Sequence, residues 1–140
     1  MNYWLLKTEP TVYSYSDLEK DKKTTWDGVT SPWALRNIMG VKKGDNVFIY
    51  HTGDEKQVMG IAEVTSAPYP DPKKPDEPYL FVFDVKPLKK LKNPVTLKQV
   101  KADKRFEKSK LVTNNRLSVQ PMPENLWNII IKMSESNTDY

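Results

Sequence analysis

The chain has 140 residues, 22 Lys+Arg against 18 Asp+Glu, a net charge of +4, one histidine and no cysteine. This is one domain's worth of chain, long enough to bury a core. The absence of cysteine excludes disulfides, thiolate chemistry and Cys-ligated zinc, and the lone His51 excludes a multi-histidine metal site. The N-terminus lacks the basic-then-apolar pattern of a secretory signal, and no run approaches the roughly 18 apolar residues of a spanning helix. A cytoplasmic compartment is the expectation. The mild basic excess suits a polyanion partner, although a lysine-rich surface is also an ordinary solvated one.

In chain order, residues 2–7 (Asn-Tyr-Trp-Leu-Leu-Lys) read as a buried opening strand. Ser16-Asp17-Leu18-Glu19 has the form of a capping box and predicts a helix to about Lys22. Trp26-Asp27-Gly28-Val29 reads as a turn carrying a tryptophan. Ser31-Pro32 then predicts a helix over 32–39, stopped by Gly40. Residues 46–51 are apolar on both faces and predict a central strand. Residues 57–66 predict its return partner, with Gly60 marking a bulge or a close backbone approach.

Five prolines in residues 67–78 exclude regular structure there. Residues 79–85 predict a further strand, extended through Leu88 to Leu91. Thr96-Leu97-Lys98-Gln99 is a second capping box, starting a helix to about Ala102. Residues 106–113 are ambiguous, residues 117–121 alternate as a short strand, and Pro123 opens a last helix with Leu126, Trp127, Ile130 and Met133 on one face. A single domain over 1–134 with a disordered tail over 135–140 is expected. About six short strands with short helices between them predict an α+β fold, a small mixed barrel rather than a doubly wound sheet.

Enzyme signatures are scarce. The phosphate-binding glycine patterns and the Gly-x-Ser-x-Gly elbow are absent. His51 or Asp27 are the plausible general bases, and the acidic pairs sit in polar loops. The aromatics say more. Trp26 and Trp33 flank a short turn and follow no strong periodicity, so each is either a base-stacking wall or core. Trp127 fits a core face, and Trp4 fits either face of its strand. Arg36 and Arg116 are two of three arginines and suit phosphate, or else a surface ion pair. Lys7 ends a buried strand and can point into a barrel mouth. From the residues alone the chain reads as a basic, aromatic-rich binding module.

A longer pattern runs through the chain. Tyr3-Trp4-Leu5-Leu6-Lys7-Thr8-Glu9-Pro10, Tyr15-Ser16-Asp17-Leu18 and Trp26-Asp27-Gly28-Val29 are followed by Lys43-Gly44-Asp45 and Tyr50-His51-Thr52. Gly60-Ile61-Ala62-Glu63-Val64, Tyr69-Pro70-Asp71, Pro94-Val95-Thr96-Leu97 and Arg116-Leu117-Ser118-Val119-Gln120-Pro121 complete it. In this order the pattern resembles the EVE domain and covers most of residues 2–133. One stretch departs: where the family commonly has Arg-Asn-Tyr-Gln-Ala-Arg-Asn after its Trp-Asp-Gly-Val, residues 30–37 have Thr-Ser-Pro-Trp-Ala-Leu-Arg-Asn, with Trp33 in place of a usual Gln.

The resemblance implies a PUA-like barrel, kinship with YTH domains, and a non-enzymatic reader of a modified or flipped base, a cytosine or adenine, in DNA or RNA. No cofactor, no metal and no membrane partner is expected, and a monomer is favoured. The expected base pocket comprises Trp26, Asp27, Gly28, Val29, Ser31, Trp33, Asn37, Tyr50, His51, Thr52 and Ser118. Lys7, Arg36 and Arg116 are the expected phosphate or backbone contacts. Trp26→Ala is expected to abolish binding with the melt nearly unchanged. General RNA binding without modification specificity is the first alternative, and a nucleotide-directed enzyme the second.

Overall fold

The structure is a computed structural model and describes residues 1–136. Among the described residues seven strands form: β1 (Tyr3–Thr8), β2 (Thr24–Trp26), β3 (Asn46–His51), β4 (Gln57–Val64), β5 (Tyr69–Pro70), β6 (Phe81–Thr96) and β7 (Val119–Pro121). Six of them run in the order β2-β6-β4-β3-β1-β7, and β5 pairs with β6 off that path. The β1–β3 pair is parallel and the other pairs are antiparallel, so the sheet is mixed. It curls into a half-barrel with short helices around it.

The helices are α1 (Tyr15–Asp21), α2 (Pro32–Ile38), α3 (Leu97–Lys101), α4 (Lys110–Thr113) and α5 (Glu124–Glu135), with a single 3-10 turn at Lys104–Phe106. The first cap differs from expectation. Ser14, not Ser16, caps α1: its side chain accepts from the Asp17 backbone N–H, and the Asp17 carboxylate accepts from the Ser14 N–H. Aspartate at the third position serves the box as well as the glutamate sought there. Ser31 stands at the start of α2 but makes no side-chain cap bond; Pro32 removes one of the amides that would need it. The capping box of Thr96 and Gln99 forms as expected.

Two further expectations shift. Trp26 is not in a turn: Thr24, Thr25 and Trp26 pair with Val85, Asp84 and Phe83 of β6. The proline-rich segment contributes the two-residue β5, whose Tyr69 and Pro70 face Val82 and Phe81. β6 continues past Leu91 to Thr96 and carries Pro87 and Pro94. A proline is tolerated in a strand where the ladder is already broken. Pro87 faces Ala62 beside one of two register shifts between β4 and β6. Of the tail expected at 135–140, Glu135 ends α5 and Ser136 caps it, while residues 137–140 lie outside the described residues.

The sheet separates two apolar clusters, because β1, β3 and β4 send alternate side chains to opposite faces. One cluster gathers Trp4, Leu6, Tyr15, Leu18, Trp26, Ile38 and Phe83. The other gathers Leu5, Phe48, Tyr50, Phe106, Trp127 and Ile130. Trp127 stacks on Phe48 with ring centres 3.7 Å apart, so it is core as expected. At Gly60 both readings hold. Ile49 faces Gly60 while Tyr50 faces Val58, so Met59 bulges out of the β3–β4 ladder. The Tyr15 ring also packs against the bare Gly60 Cα, where an added Cβ would fall 2.4 Å from the ring. The Tyr15 hydroxyl donates to the Ile61 carbonyl at 2.7 Å.

Trp4 faces the first cluster, and its indole N–H donates to Asp45 at 2.9 Å. The same buried carboxylate accepts from the backbone amides of Asn2 and Lys42. One aspartate thereby ties the start of β1 to the turn that feeds β3.

Candidate functional site

A cavity of about 560 Å³ opens where β1 ends, beside β2 and the loops that follow each. Its wall includes Lys7, Thr8, Tyr13, Thr24, Thr25, Trp26, Asp27, Gly28, Val29, Lys73 and Ser118. Local chemistry sets each part of the wall. Trp26 is the last residue of β2 and is 7% exposed; it belongs to the first core cluster and also lines the cavity. Gly28 then takes a positive φ of 77°, a conformation that a side chain would strain. That turn brings Val29 back to the wall.

Tyr13 meets Trp26 edge to face, ring centres 6.5 Å apart. It is held at both ends. Its carbonyl accepts from the Thr8 hydroxyl at 2.7 Å, and its own hydroxyl donates to Asp21 at 2.9 Å. Thr25 is tethered in the same way, its hydroxyl donating to Asp84 at 2.9 Å. The cavity thus joins an aromatic corner, several Thr and Ser residues and two lysines.

Lys7 is the half-buried cation of this wall. Its ammonium donates to the Asn115 carbonyl at 2.7 Å and lies 5.4 Å from the centre of the Tyr50 ring. Burial pulls its pKa down to about 8. An unfolded chain holds that proton to about pH 10.4. Between these values the unfolded state binds more protons, so stability rises with pH over this window and the burial penalty is fully present below about 8. The charge available to an anion changes the opposite way. Affinity for a nucleotide phosphate is expected to fall as pH is raised through about 8. Titrating wild type and Lys7→Met with a nucleoside monophosphate across that range checks this; a wild-type profile as flat as the variant's would refute it.

Of the residues expected at the site, the structure brings Lys7, Trp26, Asp27, Gly28, Val29 and Ser118 to this cavity. The others lie elsewhere. Tyr50 is buried in the second core cluster and does not line the cavity, although the Lys7 ammonium lies over its ring. His51 is buried too, with both ring nitrogens engaged. The Tyr15 backbone N–H donates to Nε2 at 3.0 Å, which leaves the proton on Nδ1, bonded to Glu55 at 2.9 Å. It fixes the start of α1. Thr52 bonds the Thr8 carbonyl, and Asn37 donates to the Val119 carbonyl, docking α2 on β7. Ser31, Arg36 and Arg116 are exposed outside the cavity, and the exposed Trp33 has the Lys110 ammonium 5.2 Å from its ring centre.

Thr8, Val12, Tyr13, Thr24, Thr25 and Lys73 belong to the wall although sequence reasoning missed them. Tyr13 was legible only as a ring beside the Tyr15-Ser16-Asp17-Leu18 motif. Lys73 sits in the proline-rich loop, where nothing in the sequence distinguishes it from Lys74. Among the described residues no group of three or more His, Asp or Glu side chains is placed to hold a metal, and no helix is long and apolar enough to cross a membrane.

The EVE domain model matches residues 2–133. The chain belongs to the EVE family. Human thymocyte nuclear protein 1 is 25% identical over 167 residues, covering 96% of this chain and 74% of that protein. A crystal structure of that human protein, in complex with 5-methylcytosine containing DNA, matches with a TM-score of 0.91 at 24% identity, over 98% of this chain and 99% of the other. The NMR structure of a protein from Rhodopseudomonas palustris matches with a TM-score of 0.91 at 36% identity, over 96% and 94%. The YTH domain of a Zygosaccharomyces rouxii protein, in complex with N6-methyladenosine RNA, matches with a TM-score of 0.59 at 17% identity, over 95% and 86%. The half-barrel is therefore shared by this EVE chain and that YTH domain.

Proposed function

We propose that this EVE domain binds nucleic acid and reads one modified base, a methylated or otherwise altered cytosine or adenine, in the Trp26 cavity. The observation that carries the reading is the company Trp26 keeps. Trp26, Tyr13, several threonines, Ser118, Lys7 and Lys73 border one cavity of about 560 Å³. That volume lies in the range of small-ligand sites. The human relative's structure with 5-methylcytosine containing DNA supports the ligand class.

The energetics fit a reader. Extruding a base costs a few kcal/mol, and contact with an aromatic returns about 1–3 kcal/mol. One buried methyl adds about 0.8 kcal/mol. Discrimination then rests on polar groups that the wrong base leaves unpaired. Thr24, Thr25, Asp27 and Ser118 are those groups here, with Lys7 and Lys73 on the phosphates. Arg36 and Arg116, being outside the cavity, serve only flanking phosphates.

An enzymatic reading has less support. Both nitrogens of His51 are occupied by structural hydrogen bonds, so it is no free base. The test is a binding screen of single-strand and duplex oligonucleotides carrying 5-methylcytosine, N6-methyladenine or no modification. Preference for one modified base by at least several-fold is expected. Equal affinity for modified and plain strands would replace the reading with a general nucleic-acid-binding module.

A further inference from the structure

Trp33 is 43% exposed, although α2 does not need it outside. That helix docks through Ala34 and Ile38, spaced four apart on one face. The indole points away from this seam and meets Lys110 of α4. Two segments run to that meeting point from the cavity. One leaves the wall at Val29 and reaches Trp33 four residues later. The other leaves the wall at Ser118 and runs back through Arg116 to Lys110. Trp33 and Lys110 thus meet at the far ends of two chain segments whose near ends, Val29 and Ser118, line the cavity.

The two segments carry charge of one sign, although Asp27 and Glu107 adjoin them in the chain and Glu124 shares the wall of a separate cavity with Lys108 and Lys110. Residues 28–37 and 108–118 contain Arg36, Lys108, Lys110 and Arg116 and no Asp or Glu. All four cations are exposed. Arg36 stands one turn after Trp33 and so shares its face of α2. Four residues of chain span at most roughly 14 Å, which sets the greatest separation of the Val29 and Trp33 backbones. An exposed indole flanked by cations is how proteins hold single-stranded nucleic acid, with a base on the ring and phosphates on the charges.

We infer that Trp33, with Lys110 and Arg36, forms a second platform that stacks a nucleotide flanking the base held in the cavity. The platform rests on the base-reading proposal for the strand's position, but its own contact is independent of the modification. Stacking on an indole is sequence-tolerant, so this site adds affinity for a strand and not discrimination among bases. The Lys110 ammonium covers the ring in the free protein and moves to the neighbouring phosphate when the strand arrives.

The experiment compares wild type, Trp33→Ala, Trp33→Phe, Lys110→Ala and Lys7→Met against two probes. One is 5-methyl-2′-deoxycytidine monophosphate, and the other is a single-stranded oligonucleotide carrying that nucleotide at its centre. Trp33→Ala is expected to weaken the oligonucleotide on the order of tenfold and to leave the mononucleotide unchanged. Trp33→Phe recovers part of the loss, and Lys110→Ala weakens the oligonucleotide with a shallower salt dependence. Wild-type oligonucleotide affinity in Trp33→Ala overturns the platform and leaves the cavity reading intact. Equal loss of both probes also overturns it, since Trp33 would then serve the cavity. A Lys7→Met variant that binds both probes like wild type, beside a weakened Trp33→Ala, rejects the cavity reading alone. No binding by wild type of either probe, or of the matching pair carrying N6-methyldeoxyadenosine, rejects both.

Discussion

Trp26→Ala is expected to lose base binding and a large share of stability together. The indole is 7% exposed and belongs to the first core cluster, so truncation opens a cavity among Tyr13, Phe83 and their neighbours. The cost is about 3–5 kcal/mol. For a chain of this size that lowers the melting temperature by about 10–20 °C. This corrects the expectation of a nearly unchanged melt, which followed from placing Trp26 in an exposed turn. Thermal melting beside an oligonucleotide titration well below the transition measures both losses. Trp26→Phe separates them, because it keeps much of the filling and removes the indole. A Trp26→Phe protein that melts close to wild type and binds the modified oligonucleotide just as tightly would remove Trp26 from the base site.

Asp45→Ala is expected to cost as much stability and no affinity. The buried carboxylate accepts from Asn2 N–H, Trp4 indole N–H and Lys42 N–H at 2.9–3.0 Å. Alanine leaves these donors without their partner, each at about 1–3 kcal/mol where water cannot replace it. A net loss of about 3–5 kcal/mol is the expected result in urea or thermal unfolding. Asp45 sits where β1 begins, and the cavity sits where β1 ends, six residues along the strand. The folded fraction should therefore bind like wild type. A clear loss of affinity in the folded Asp45→Ala protein would show that the two ends of the strand are coupled. A melt within 1–2 °C of wild type, about 0.5 kcal/mol, would show that water reaches the orphaned donors.

Much of the fold was legible because apolar patterning and turn chemistry are local. The strands at β1, β3 and β4, the second capping box and the core face of α5 follow from such signals. Gly60 was legible as a special position because a glycine inside an apolar strand has few other uses. What escaped depended on distant partners. Three residues, Thr24-Thr25-Trp26, are too few to show a strand period, and only the pairing with β6 makes them one. Pairing likewise recruits Tyr69 and Pro70 into β5, although five prolines in their segment oppose regular structure locally.

The site was legible in part for the same reason. Trp26, Asp27, Gly28 and Val29 are contiguous, so one motif carries all four to the cavity. Trp33 and Tyr50 are close to such motifs in sequence, yet helical and strand periodicity turn them away, while His51, on the other face from Tyr50, is tied to Tyr15 and Glu55 instead. A tryptophan where the family usually has glutamine looked like a change in the pocket. The structure places it outside the cavity, on the surface of α2.

The place of β1 in the sheet has a consequence for biosynthesis. Its neighbours are β3 on one side and β7 on the other, so the first strand of this domain is flanked by the last one among the described residues. After β3 emerges at residue 51, the ribosome must still add residues 52–121, roughly 4–14 seconds of translation, before the second edge of β1 is covered. Throughout that interval Leu5 and Leu6 stand on an open backbone edge. The sheet is therefore closed around β1 only once residues 119–121 are available to pair with it.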